Sequence, residues 1–529
     1  MHKETEWQFD ADDLSQVEAW LRAQDPLEAV EVELGTAYLQ RDQYFDTPDW
    51  RLYQAGYALR LRCDPQQAEV TLKSLDAPCN GVHTRQEYTQ PIDPKSGETN
   101  LLRALRRAQG GPVSARVQAA VGQRTLKALF EVHTRRQQAV LHIEGQRAGE
   151  LALDEFTIPR AQGAQPMHMQ RVEVELDPQL DPARKPILEQ FVAKLRRACD
   201  LRPSKLSKFE LGLRASQLEP NPPLDLGQPA TAEQAGRAPT TGELAFAVLR
   251  EHFAAFMRQE AGARIGDDPE FVHRMRVASR RLRAALRIFQ PINPEQCERF
   301  RDELRWIARA LGEVRDLDVQ LAQVEAWNAQ GGGFEPLAQM LESERDAARA
   351  RLLRAFNSKR YASLIEDFSA FLRAGQAAPE FAALPARQIA LSLVLRQYAA
   401  VRELGDALRA DSAPEAYHAL RIEVKRLRYA LEFIRWLRPK AVQRFLPRLV
   451  ALQDVLGDQQ DAHVAAERVG KLLEQRALPE AALQTLAEAR QAHEAHFRSA
   501  RAAFPEAYDA IKGKRWLRLC AKLEALQRD

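Results

Sequence analysis

Many charged residues in the first 215 positions occur in pairs spaced i, i+2. The pairs are Glu4/Glu6, Arg60/Arg62, Arg85/Glu87 and Glu173/Glu175. Successive side chains of a β-strand point to opposite faces, so both members of each pair lie on the same face. Lys73 lies on one face with Thr71, while Val70 and Leu72 lie on the other. These patterns predict a sheet with one apolar face and one face that gathers acids and bases.

The residue types on the charged face indicate which ligands it could bind. Two adjacent carboxylates repel each other unless a cation lies between them, and such oxygen ligands suit Mg²⁺ or Mn²⁺. Adjacent Arg and Lys side chains suit the oxygens of a phosphate. A face that carries both predicts a site for a metal–phosphate substrate. A half-solvated face held together by salt bridges is the alternative interpretation.

A stripe of basic residues follows one side of a helix predicted at 272–289. At 100° per residue it fits an arc of about 80°, and its members are His273, Arg276, Arg280, Arg283 and Arg287. A solvated helix face usually mixes both signs, because like charges at i, i+4 are destabilising by ~0.2–0.5 kcal/mol per pair. The stripe therefore indicates an external polyanion, with a solvated face as the alternative.

The stripe is repeated 145 residues later. The second copy contains His418, Arg421, Lys425 and Arg428, and it is shorter because Glu432 matches Arg287. Without any gap, 15 of the 47 positions from 273 to 319 are identical to their partners. Such a match predicts a duplicated helical unit. Asp316 and Asp461 also match, and we interpret them as ends of helix–turn segments with capping or salt-bridge roles.

The two halves of the chain differ in periodicity. Period-two segments such as 58–62, 69–73 and 170–176 predict antiparallel strands, with helices at about 11–24, 98–108 and 184–199. The second half has apolar residues at three- and four-residue spacing, which is typical of helices. A Pro- and Gly-rich linker separates the halves. We predict an α+β protein with domains at 1–214 and 240–529 and a linker at 215–239.

Composition limits the class of protein. The 529 residues include 76 Lys+Arg and 73 Asp+Glu, a net charge of only +3, so anion binding must come from the arrangement of charge. Five scattered cysteines, without a Cys-x-x-Cys motif, favour a reducing cytoplasm over a disulfide framework. We expect no signal segment, since Glu4, Glu6 and Asp10 interrupt the start, and no membrane span.

The first half resembles the CYTH family, which includes triphosphate tunnel metalloenzymes and class IV adenylate cyclases. The resemblance covers about 1–215 and rests on motifs that occur in the family's order. They are ETE (4–6), YFDT (44–47), ALRLR (58–62), TLK (71–73), Arg85-x-Glu87, LALD (151–154), VEVEL (172–176) and LSKFELG (206–212). It implies an eight-stranded antiparallel tunnel with the charged face as its lumen, and metal-assisted hydrolysis of a terminal phosphoanhydride.

The same resemblance implies roles for individual residues. The implied ligands of Mg²⁺ or Mn²⁺ are Glu4, Glu6, Asp154, Glu173 and Glu175. The implied phosphate-binding residues are Arg60, Arg62, Lys73, Arg85, Arg136 and Lys208, with Arg135 as an alternative to Arg136. Within these sets, Glu4, Glu6, Lys73 and Arg60 are the expected catalytic residues. The family pattern begins Glu-x-Glu-x-Lys, whereas Gln8 stands at the fifth position here.

The helical half resembles the CHAD domain, the conserved-histidine α-helical domain, over about 240–529. The segments VHRMRVASRRLRAALRIF (272–289) and YHALRIEVKRLRYALEFI (417–434) carry the resemblance. It implies two pseudo-symmetric four-helix bundles around a basic channel that binds inorganic polyphosphate. The implied ligands are His273, Arg276, Arg280, Arg283, His418, Arg421, Lys425 and Arg428, with Arg287, Arg299 and Arg444 as further candidates.

Two functions follow, and the sequence leaves both open. The first is a metal-dependent inorganic triphosphatase whose helical domain binds polyphosphate. The second is a noncatalytic polyphosphate-binding protein, located on polyphosphate granules, whose tunnel has degenerated at Gln8. A nucleic-acid partner is not favoured, because few aromatic residues interleave with the basic stripes for base stacking.

Overall fold

The computed structural model describes most of the chain. The described residues are 3–23, 29–65, 67–76, 82–93, 101–107, 110–160, 164–220, 222–227, 239–375, 379–474 and 479–528. They belong to two compact units, one of residues 1–223 with 258–268 and one of residues 224–257 with 269–529. Much of the predicted linker lies outside the described residues, so the boundaries at 214 and 240 stay a prediction.

The first unit is built on antiparallel strands that close into a ring. The strands are β1 (Lys3–Ala11), β2 (Glu31–Leu34), β3 (Tyr38–Asp46), β4 (Tyr57–Cys63), β5 (Ala68–Ser74), β6 (Val82–Pro91), β7 (Lys127–Ile143), β8 (Gln146–Ile158), β9 (Met167–Leu176) and β10 (Arg202–Pro203). Eight of them follow the order β1-β6-β5-β4-β3-β7-β8-β9, and β9 pairs again with β1. This closed eight-stranded ring confirms the predicted tunnel.

Helices of this unit pack against the ring. They are α1 (Leu14–Arg22), α2 (Arg51–Gln54), α3 (Leu101–Arg107), α4 (Pro112–Val121), α5 (Lys185–Ala198) and α6 (Lys208–Ala215). Trp7 and Phe9 of β1 pack in one core with Phe191 of α5. Leu59 and Leu72 pack in another core with residues of α3 and α4. Because these apolar residues face outwards, the alternating polar residues point into the lumen.

Helix α6 is fixed at both ends of its first turn. Ser207 and Glu210 form a reciprocal capping box, which satisfies backbone N–H groups at the helix start. A Cβ atom on Gly212 would lie 1.9 Å from the ring of Phe130, so only glycine allows the helix to approach β7 this closely. Lys208 is the first residue of the helix and is buried, so the cap determines where its side chain enters the lumen.

The second unit is helical, and the part of its first helix from residue 258 onwards belongs to the first unit. Its helices are α7 (Thr241–Ile265), α8 (Pro269–Ile288), α9 (Pro294–Gly331), α10 (Glu335–Phe356), α11 (Lys359–Ala374), α12 (Pro379–Ala382), α13 (Ala386–Ala407), α14 (Pro414–Ile434), α15 (Pro439–Glu474), α16 (Glu480–Asp509) and α17 (Lys514–Arg528). Within the described residues, no helix is both long enough and apolar enough to cross a bilayer.

Aromatic contacts define two sets of packed helices. In the first set, Phe368 of α11 contacts Phe253 of α7 and Phe300 of α9. In the second set, Trp516 of α17 contacts Tyr398 of α13 and Phe445 of α15. Helices α8 and α14 complete the two sets and contact each other. The arrangement confirms the predicted pair of bundles and, with the tunnel, the α+β class.

Candidate functional site

Strand pairing brings the two acidic pairs of the tunnel together. Glu6 is paired with Glu175 across β1 and β9, and Glu4 is paired with Arg85 across β1 and β6. Glu4, Glu6 and Arg85 are buried, although all three are charged residue types. Carboxylates that are about 170 positions apart in sequence therefore share one part of the lumen.

Lys73 lies at the centre of a carboxylate cluster. Its Nζ is 2.5 Å from Glu4 Oε2 and 3.1 Å from Glu6 Oε1. It is also 3.4 Å from Glu87 Oε2. The contact between Lys73 and Glu4 is the shortest of the three. One lysine thus contacts three carboxylates in this part of the lumen.

The carboxyl groups of this cluster have shifted pKa values. Burial raises the pKa of Glu4 well above its ordinary value, and attraction to Lys73 offsets the rise only in part. Burial and the charge of Glu87 raise the pKa of Glu175 to about 7. Burial acts against ionisation of Glu87 too, but Lys73 and a hydrogen bond with Glu4 lower its pKa to about 2. The raised pKa values of Glu4 and Glu175 indicate that burial and neighbouring carboxylates oppose their ionisation.

A second cluster joins Arg136, Lys208, Asp154 and Glu173. Arg136 Nε donates to Asp154 Oδ1 at 2.7 Å, and its Nη2 donates to Glu173 Oε2 at 2.7 Å. Lys208 Nζ also contacts Asp154, and it lies 3.0 Å from Glu173 Oε1. Burial opposes ionisation of Glu173, but Lys208 and Arg136 lower its pKa well below the ordinary value. Arg135 is exposed, so Arg136 is the arginine that enters the lumen.

Arg60 and Arg62 converge on a residue that the sequence did not single out. Arg62 donates to both carboxylate oxygens of Asp42, at 2.8 and 2.9 Å. Arg60 Nη1 lies 3.7 Å from the same carboxylate, and Arg60 Nη2 donates to Thr71. Asp42 is fully buried, and although burial opposes ionisation, the two arginines hold its pKa far below the usual range.

The lumen contains a cavity of about 490 Å³. Its lining includes the polar residues Glu6, Gln8, Arg60, Lys73, Arg85, Glu173 and Lys208. The cavity thus joins the Lys73 cluster with the cluster around Arg136, and it presents acidic, basic and amide groups to the same space.

A divalent cation fits one of the two clusters. Glu4, Glu6 and Glu175 supply hard oxygen donors of the kind that Mg²⁺ or Mn²⁺ prefers, and burial raises the pKa values of Glu4 and Glu175. Asp154 and Glu173 are already paired with basic residues, so the structure does not unite all five predicted ligands. In the described part of the chain, no three His, Cys, Asp or Glu side chains are already arranged as a metal-binding group.

In the helical unit, the two basic stripes face each other. Arg280 of α8 donates from Nε to the hydroxyl of Tyr429 of α14 at 2.9 Å. Burial lowers the pKa of Lys425 to about 8, helped by the positive charges of Arg421, Arg280 and Arg276. The pKa of a lysine in the second stripe is therefore lowered by arginines of both stripes. This convergence is the arrangement that a shared polyanion site requires.

The first arginine of each stripe is held in the same way. Arg276 Nη1 lies 3.9 Å from Asp316 Oδ1, and Arg421 Nη1 lies 3.4 Å from Asp461 Oδ1. The two aspartates lie inside the long helices α9 and α15, so our interpretation of them as helix ends was wrong. The salt-bridge role was right. Four residues before each aspartate, a glycine lies beside the same arginine: Gly312 beside Arg276 and Gly457 beside Arg421. The 145-residue repeat thus reproduces the whole arrangement.

A cavity of about 880 Å³ lies beside the facing stripes. Of the predicted residues it is lined by Arg280, Arg283, Arg287 and Lys425. The sequence did not single out its other basic residues, which are Arg301, Arg305, Arg396 and Arg426. Burial and neighbouring arginines lower the pKa of Arg283, which shows how strongly the like charges are crowded.

Five other predicted residues are not among those that line this cavity. His273 is half-buried, and burial lowers its pKa, whereas His418 is exposed. Arg428 donates from Nε to Glu432 Oε1 at 2.7 Å and also contacts Gln453, so it is engaged within the fold. Of the further candidates, Arg299 pairs with Asp367. Arg444 is exposed.

Family models divide the chain at the same place as the change from strands to helices. A CYTH domain matches residues 11–209, and a CHAD domain matches residues 247–470. The chain is a CYTH–CHAD tandem protein. Triphosphate tunnel enzymes of the CYTH family generally depend on a divalent metal, in agreement with the oxygen donors of the Lys73 cluster.

The CYTH–CHAD protein has several relatives. An uncharacterized protein of Mycobacterium tuberculosis (strain CDC 1551 / Oshkosh) is 27% identical over 213 residues, which are 38% of this chain and 40% of that protein. The chain thus spans about two fifths of the length of this curated relative. The CHAD domain of the plant Ricinus communis is 28% identical, with a TM-score of 0.44 over 55% of this chain and 96% of that chain. HpAC1 from Hippeastrum, described with a dominant triphosphatase activity, is 23% identical, with a TM-score of 0.31 over 41% of this chain and 99% of that chain.

Proposed function

We propose that the CYTH domain hydrolyses inorganic triphosphate, or the ends of short polyphosphate chains, with the help of Mg²⁺ or Mn²⁺. One observation carries this proposal. The acidic residues Glu4, Glu6 and Glu175 share a lumen with the basic residues Arg60, Lys73 and Arg85. A metal–triphosphate complex supplies positive charge to the first group and negative charge to the second.

The residues divide the chemical work. Glu4, Glu6 and Glu175 hold the metal, which neutralises phosphate charge and polarises the phosphoryl group. Lys73, released from these carboxylates, binds phosphate oxygens together with Arg60 and Arg85. Arg62, Arg136 and Lys208 extend the basic surface along the lumen, although the free protein holds them against Asp42, Asp154 and Glu173. Fixed positive groups stabilise the charge that builds up on the phosphate oxygens in the transition state.

The CHAD domain binds polyphosphate in this proposal. The facing stripes contain Arg276, Arg280, Arg421 and Lys425, and the lowered pKa of Lys425 reflects its burial and then its repulsion by these arginines. A bound chain of phosphates removes that repulsion and releases counterions, so affinity falls as salt rises. Joining both domains in one chain raises the concentration of polyphosphate ends near the tunnel.

Release of orthophosphate from tripolyphosphate tests the enzymatic proposal. Purified protein is assayed with Mg²⁺ and with Mn²⁺, and Glu6→Gln is compared with the control Glu33→Gln. Glu33 is exposed on β2, so its substitution leaves the lumen unchanged. Turnover should depend on the metal, fall by roughly 100-fold or more in Glu6→Gln and persist in the control. Equal, trace rates in all three proteins would eliminate hydrolysis.

A noncatalytic polyphosphate-binding protein, on polyphosphate granules, is the second candidate function. Gln8 favours it, because a neutral amide replaces the lysine that the family pattern places in the lumen. In this case the acid–base pairs of the tunnel serve stability, and only the CHAD domain contacts the ligand. Tight polyphosphate binding without any metal-dependent release of orthophosphate is the result that supports this candidate.

A further inference from the structure

Gln8 is buried in the wall of the tunnel and lines the cavity of about 490 Å³. Its side-chain nitrogen Nε2 donates to Glu6 Oε1 at 2.9 Å. Its side-chain oxygen Oε1 is buried and has no hydrogen-bond partner among the described residues. A buried acceptor without a partner is destabilising, and such atoms usually mark the position of a ligand or an ordered water.

The orientation of this amide follows from its neighbour. A carboxylate accepts hydrogen bonds and cannot donate one when ionised, so the nitrogen of Gln8 faces Glu6 and the oxygen is the amide atom that is left without a partner. An amide oxygen repels the anionic oxygens of a phosphate, and it needs a group that donates a hydrogen bond. Water is such a donor, and the cavity that Gln8 lines has room for it.

We propose that Gln8 Oε1 holds and orients the water molecule that attacks the terminal phosphorus of triphosphate. This inference rests on the proposed hydrolysis and names a positioning role for the residue by which the chain departs from the family pattern. The water oxygen forms the new P–O bond, the bridging P–O bond breaks, and pyrophosphate leaves with the electron pair of that bond. An amide is not a base at neutral pH, so the proton of the water passes to a phosphate oxygen.

The glutamine at position 40 supplies a matched control. Gln40 is also buried in the ring, and its Nε2 donates to Asp42 Oδ2, but it does not line the cavity. Gln8→Met and Gln40→Met thus remove the same group from similar surroundings. For tripolyphosphate, Gln8→Met should lower kcat on the order of 100-fold. Its KM and its affinity for Mn²⁺, measured calorimetrically without substrate, should stay within about twofold, since neither depends on an oriented water.

Gln8→Lys separates this role from simple restoration of the family motif. Lysine donates hydrogen bonds but does not accept them, so this variant should lose kcat as Gln8→Met does. A kcat above that of the wild type in Gln8→Lys, or an unchanged kcat in Gln8→Met, would overturn the proposal. An equal loss of kcat in Gln40→Met would also overturn it, because the effect would then be a general one of removing a buried amide.

A crystal structure with bound ligand tests the proposed water site without measuring turnover. Crystals of the whole protein with tripolyphosphate and Mg²⁺ should show a water within hydrogen-bond distance of Gln8 Oε1. Direct contact of that oxygen with a phosphate, or an apolar neighbour in place of water, would contradict the proposal. If the water is present but the wild type releases no orthophosphate, the proposed hydrolysis fails while the water site stands.

Discussion

Lys73 Nζ lies 2.5 Å from Glu4 Oε2, so a lysine neutralises a carboxylate that the proposed metal ion would bind. A metal ion held by Glu4 and Glu6 would compete with Lys73 for these carboxylates. In the proposed function, Lys73 would then be available to bind phosphate.

Replacing Lys73 with Met should change two affinities in opposite directions. Affinity for Mn²⁺ in the absence of phosphate should rise about 10-fold, since one competing charge is worth on the order of 1.4 kcal/mol in a partly screened site. Affinity for tripolyphosphate in the presence of the metal should fall. Titration calorimetry at pH 8 measures both, with the exposed Lys127→Met on β7 as the control. Unchanged Mn²⁺ affinity would show that Lys73 does not compete with the metal.

Arg136→Met should destabilise the tunnel. Arg136 donates two hydrogen bonds to Asp154, which is fully buried, so its loss leaves that carboxylate with Lys208 as its remaining cation. Breaking a buried pair by removing one partner typically costs about 3–5 kcal/mol. Urea unfolding measures the loss. The adjacent Arg135→Met is the control and should change the free energy of unfolding by less than about 0.5 kcal/mol, because Arg135 is exposed.

The double variant Arg136→Met with Asp154→Asn tests the cause of this destabilisation. Removing the carboxylate's charge together with its partner should recover part of the stability, since no buried charge is left uncompensated. If the double variant were as unstable as the sum of the single variants, the loss would come from packing and not from the ion pair.

Strand alternation predicted the lumen residues on β1, β4, β5 and β9, because apolar and charged side chains alternate cleanly there. It did not decide between Arg135 and Arg136, since no predicted strand covered these two neighbouring positions of β7. Asp42 was missed for another reason. Its strand reads YLQRDQYFD, with polar residues on both faces, so no alternation marks the inward side. Burial of Asp42 depends on Arg60 and Arg62 of the neighbouring strand.

The repeat predicted the two stripes and their shared register, and the structure shows that α8 and α14 are in contact. Arg301 and Arg396 could not be found in this way. They lie on α9 and α13, where no like-charged stripe marks them, and only the packing of four helices brings them to the cavity. The prediction that Asp316 and Asp461 end helix–turn segments was wrong, because Gly312 and Gly457, four residues before them, lie inside continuous helices, each beside an arginine.

Polyphosphate binding should weaken as the pH rises through about 8. Burial and the neighbouring arginines lower the pKa of Lys425 to about 8 in the free protein, so the lysine loses its charge above that pH. A bound polyanion favours the charged form, and binding above pH 8 must therefore be accompanied by proton uptake. Affinity between pH 7 and pH 9.5 should fall by roughly 10-fold or less for this single charge.

Lys425→Arg is the control for this pH dependence. Arginine stays charged over the whole range, so the variant should bind polyphosphate with nearly constant affinity and take up fewer protons. Calorimetry in two buffers with different ionisation enthalpies measures the proton uptake directly. The same pH dependence in wild type and variant would place the titrating group elsewhere.

Charge reversal at the heads of the two stripes should weaken polyphosphate binding without unfolding the helices. Arg276 and Arg421 are each held near an aspartate at the start of a stripe, and both lower the pKa of Lys425 by their positive charge. In Arg276→Glu with Arg421→Glu, affinity should fall more than about 10-fold, and the slope of log K against log salt should become shallower by about one or two units. Arg354→Glu, exposed on α10, is the control and should retain both affinity and slope. Helical circular dichroism should be unchanged in all three proteins. If the reversed variant bound polyphosphate like the wild type while double-stranded DNA displaced the ligand equally from both, the stripes would not be the polyphosphate site.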